Sequence, residues 1–191
     1  KDNAYKEVIE NIRSMIKDPI AKLISTEVSI KLREYTAKEI ISEVEKLTST
    51  SDKLYLIAHW ASNNKKLDGA EHVLEYALKL AVSTTDYAPN ARVYKDLSMQ
   101  LPFIEDAESL KRLMGFFDGQ KVNLEKYGPT EDYIALQLNL ARTEAKIDMK
   151  SACNRIIDLY FYITQITDIT IQTTCLSQLL SELDTIDPSK E

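Results

Sequence analysis

Residues 54–82 read LYLIAHWASNNKKLDGAEHVLEYALKLAV. Apolar side chains recur there at three- and four-residue spacing: Leu54, Ile57-Ala58 and Ala61, then Leu67, Ala70, Leu74, Ala77-Leu78 and Leu80. That period puts one apolar face on each of two helices. They meet at Lys65-Lys66, a pair of charges that neither helix can bury. Ala58 and Ala70 lie one on each helix, and small side chains at a crossing let antiparallel helices approach closely.

The same periodicity runs through nearly all of the 191 residues, with little strict alternation. Apolar residues make up 44% and charged residues 28%, which suits a globular chain with a core and is too apolar for disorder. With only 4 Gly and 5 Pro there are too few turn residues for a sheet or barrel. The breaks carry helix-start chemistry. Asp18 precedes Pro19 at a first helical position, Ser51 is read as the cap of a run from Asp52, and Glu131-Asp132 follow Gly128-Pro129-Thr130. Pro89 follows an inter-helix loop at 84–88, and Pro102 ends another helix. Helices are predicted at 3–16, 19–34, 37–48, 52–63, 67–83, 90–100, 104–117, 130–146, 149–164 and 168–184, with a short one at 120–126. Short loops make sequential helices antiparallel neighbours.

Leu54, the Ile57-Ala58 pair, Ala70, Leu74 and Ala77 carry a resemblance: the unit is similar to a tetratricopeptide repeat. Two positions depart from that family's pattern. Ala61 stands where an aromatic is usual, with Trp60 one place earlier, and Val82 where a proline is common. Tyr94, Leu97-Ser98, Ala107, Leu110, Met114 and Phe117 follow the same spacing, as do Leu140-Ala141, Met149, Ala152, Ile156 and Leu159 after deletion of one turn residue. Ala37, Ile41 and Val44 read as the second helix of an earlier unit, and Cys175 to Leu183 as the first helix of a truncated one. The period lies near 40 residues, which keeps HEAT-like repeats open as the alternative. The expected fold is therefore all-α: a right-handed α-solenoid of nine or ten helices in antiparallel hairpins. An irregular helical bundle is the competing architecture. Residues 1–187 are read as one helical-repeat domain of a longer protein, with 188–191 a frayed tail.

Charge narrows the partners. Twenty-four Lys+Arg against 30 Asp+Glu give −6, and no basic cluster forms, which disfavours nucleic acid and anionic membranes. From Ser151 onward the only basic residues are Arg155 and Lys190. No apolar run approaches the roughly 18 residues of a membrane span. Without a signal sequence, Cys153 and Cys175 read as two buried reduced thiols of a cytoplasmic protein, with a disulfide between adjacent helices as the alternative. Catalytic chemistry lacks a motif: no nucleophile elbow, Walker loop, dinucleotide fingerprint or metalloprotease helix is present. Asp68, His72 and Glu75 share a helical face, but a zinc site needs a second His or Cys from another helix. The face reads as solvated charge. No enzyme, metal or cofactor is expected.

Stacked hairpins expose the first helix of each pair along one face. On the 52–63 helix, Tyr55, His59, Ser62 and Asn63 lie off the apolar stripe. Lys95 and Met99 take the corresponding places in the next unit, and Leu138, Arg142 and Ala145 in the one after. The resemblance implies that such positions hold extended peptides or chain termini. Expected function is therefore protein or peptide binding, as a scaffold or a regulatory arm, on a mildly cationic groove. The alternative is a bundle with a small-molecule or catalytic pocket. Trp60 is assigned to the core. Tyr160, Phe161 and Tyr162 span all faces of one turn, so at least one ring must be exposed or covered by a neighbour.

Overall fold

The computed structural model describes residues 7–8, 11–12, 14–15, 17–32, 35–63, 69–83, 91–119 and 130–186. Among these the regular elements are all helical: α1 (Pro19–Leu32), α2 (Ala37–Glu45), α3 (Thr50–Asn63), α4 (Ala70–Ser83), α5 (Ala91–Ser98), α6 (Ala107–Gly119), α7 (Thr130–Ala145), α8 (Met149–Thr164) and α9 (Ile169–Ile186). A 3-10 turn, Leu101–Phe103, follows α5 and contains Pro102. The expected 3–16 helix is described only in part, where residues 7–8, 11–12 and 14–15 are helical. The 120–126 helix, the 84–88 loop, Lys65-Lys66 and the 188–191 tail lie outside the described residues.

Side-chain caps fix where the helices begin. The Asp18 carboxylate accepts from the Ala21 N–H at 2.8 Å, with Pro19 supplying the first helical residue. Thr36 and Glu39 form a reciprocal capping box on α2. Ser49 caps α3, accepting from the Asp52 N–H at 3.2 Å, which corrects the assignment of that role to Ser51. A capping oxygen must precede its N–H donor by two or three residues, and Ser51 already lies inside the first turn. Asp106, Asp148 and Asp168 cap α6, α8 and α9. The Ser109 N–H holds the Asp106 carboxyl below the usual range, and the Ser151 hydroxyl does the same for Asp148.

Packing follows chain order. Helices α1, α3, α5, α7 and α9 touch in sequence as one layer. Helices α2, α4 and α6 form a second layer, and α8 joins it through Arg155, which pairs with Asp118 at the end of α6. Hairpin contacts α2–α3, α3–α4, α7–α8 and α8–α9 close one layer onto the other. The polar links between successive helices of a layer repeat at a near-constant separation. Arg112–Glu75, Lys95–Asp132 and Arg155–Asp118 are 37 residues apart, Gln100 and Ala61 are 39 apart, Arg142 and Glu182 are 40, and Asn139 and Ser98 are 41. Tyr76 donates to Glu45 across only 31, so the first step is shorter. That hydroxyl, followed by Lys53, holds the Glu45 carboxyl below the ordinary range.

The core lies between the layers. Trp60 is buried and its indole N–H donates to the Tyr35 carbonyl at 3.3 Å, as its assignment to the core requires. Tyr94 meets Phe117 edge-on at 5.9 Å, and burial pushes its phenol up to about 12. The two cysteines part company. Cys175 is buried, with its thiol pushed up by burial, whereas Cys153 is exposed and unpaired, which corrects the expectation of two buried thiols. Position 153 is turned roughly 100° from Ala152, out of the stripe Ala152, Ile156, Leu159 and Ile163. Tyr162 packs against Tyr133, while Tyr160 and Phe161 are exposed. No helix among the described residues is long and apolar enough to cross a membrane.

Two substitutions test this construction. Gly69 has φ 73, and a Cβ added there would stand 3.0 Å from the Ala37 Cβ. Gly69→Ala should therefore cost about 1–2 kcal/mol in urea unfolding. Arg155 binds Glu144 at 2.8 Å, the Gln137 amide oxygen at 2.9 Å and Asp118 at 2.9 Å, tying together α6, α7 and α8. Asp118 is partly solvated, so Arg155→Met should lose roughly 2–4 kcal/mol, less than a fully buried pair would.

Candidate functional site

The outer face of the first layer carries the residues singled out from the sequence. On α3 the apolar stripe turns Leu54, Ile57, Ala58 and Ala61 inward, which leaves Tyr55, His59 and Asn63 as an outer column at four-residue spacing. The Tyr55 ring and the His59 imidazole stack, with centroids 6.2 Å apart and planes within 12°. Tyr55 is 46% exposed, and its hydroxyl has no partner among the described residues. Asn63 donates to the His59 carbonyl at 2.7 Å, and its amide nitrogen lies 3.3 Å from the imidazole nitrogens. Ser62 donates to the same carbonyl at 3.0 Å. Both polar side chains are thus folded back on their own helix, and Asn63 also lies against the imidazole.

The two cations of the expected groove are engaged elsewhere. Lys95 on α5 reaches Asp132 on α7 at 2.6 Å, with Asp96 at 3.6 Å. Arg142 on α7 makes a two-pronged pair with Glu182 on α9. Their charges are neutralised within the layer, so the face is less cationic than the sequence suggests. Asn139 adds a hydrogen bond to Ser98 at 2.9 Å, completing a polar seam between α5 and α7. Burial raises the Asp96 carboxyl, opposed by Lys95 and Arg92. Met99 is exposed, Ala145 is half-buried, and Leu138 is buried, which removes it from any groove. No hydrogen bond or ring contact among the described residues joins the α3 column to Lys95 or Arg142.

Asp132, Glu182 and Asn139 are the residues that sequence reading misses. Opposite charges one structural period apart, as in Lys95 and Asp132, are the available signal. Elsewhere, His72 is exposed and Glu75 is taken by Arg112, while Asp68 lies outside the described residues. Among the described residues no three His, Cys, Asp or Glu side chains gather as a metal-ligand set. The face offers ring stacking and neutral hydrogen bonds.

The Lys95 seam has a pH signature. Asp96 sits above its unfolded value, so it opposes folding once ionised and stops doing so as pH falls below the carboxylate range. Lys95→Met removes a charge that lowers Asp96 and leaves Asp132 without its ammonium. The stability deficit of that variant should therefore widen as pH rises from about 4 to about 7, read by urea unfolding at each pH.

No family model matches the chain, and neither a curated protein nor a solved structure matches it.

Proposed function

We propose that the chain is an α-solenoid protein-binding module, whose first-layer face takes an extended, largely uncharged segment of another protein. The observation that carries this reading is the stacked Tyr55–His59 column, exposed on a layer whose neighbouring cations are already paired. A partner on this face gains ring stacking and hydrogen bonds to Tyr55 and His59, while an acidic peptide finds little unpaired positive charge. The solenoid reading is supported by the order of contacts. Each helix packs chiefly on those one and two places along, whereas an irregular bundle brings together helices distant in sequence. Recognition of this kind makes the module a scaffold or a regulatory arm.

Selection from a random-peptide display library tests it. Peptides enriched on the wild-type chain should be rich in aromatic and amide residues. They should bind a Tyr55→Ala/His59→Ala variant at least about tenfold more weakly, as expected for loss of interface anchors. Equal affinity for both, with melting temperature unchanged, would move recognition off this face.

A further inference from the structure

We draw no further inference here: the strongest candidate, the apolar flank of α8 formed by the exposed Ile157 and Tyr160, carries nothing because nothing in the structure shows what covers it.

Discussion

Every long helix of this chain carries more apolar surface than a single neighbour can cover. Helix α3 buries Leu54, Leu56, Ile57, Ala58, Trp60 and Ala61, and α7 buries eight of its sixteen residues, among them Gln137 and Thr143. Apolar contact that extends this far around a helix requires partners on more than one side. Helix α3 finds them in α1, α2, α4 and α5, and α7 in α5, α8 and α9. Each fully buried Leu or Ile contributes about 1.5–3 kcal/mol, so this requirement outweighs any single polar contact. Two layers in chain order are the arrangement that satisfies it with short connections.

The polar links have a different role. Exposed or half-exposed ion pairs such as Arg112–Glu75 and Arg142–Glu182 contribute on the order of 0–1 kcal/mol each. Their value is positional, because each pair forms only when successive helices of a layer sit at the correct offset. Arg155 is the strongest case, since it is shielded from water and from α8 reaches acceptors on two other helices, α6 and α7. A slip of α8 by one residue would swing Arg155 by roughly 100° and strand the carboxylates it serves.

This division also shapes the surface. The charges that would have made the first-layer face cationic are used to hold α5, α7 and α9 together. What remains outward is the Tyr55–His59 column on α3 and single apolar side chains such as Ile24 on α1, Ile157 on α8 and Leu180 on α9.

Periodicity and caps make the helices legible in the sequence. From α2 onward the expected starts fall within three residues of those observed, because apolar spacing and capping oxygens act within a single turn. The burial of Trp60 and the exposure of at least one ring in 160–162 are equally local inferences. What sequence does not provide is the pairing of side chains between successive helices of a layer. Lys95 and Arg142 look like available cations along the chain, and only the stacking of α5 on α7 and of α7 on α9 brings Asp132 and Glu182 to them. Cys153 and Leu138 are misplaced by local spacing for the same reason. Which flank of a helix is covered depends on where the helix two places along lies, and local spacing carries no record of that. The sequence by itself determined the helices and where they start. The tertiary structure decided which charges are spent, which aromatic rings face outward and which apolar flanks stay uncovered, because those depend on contacts between residues about forty positions apart.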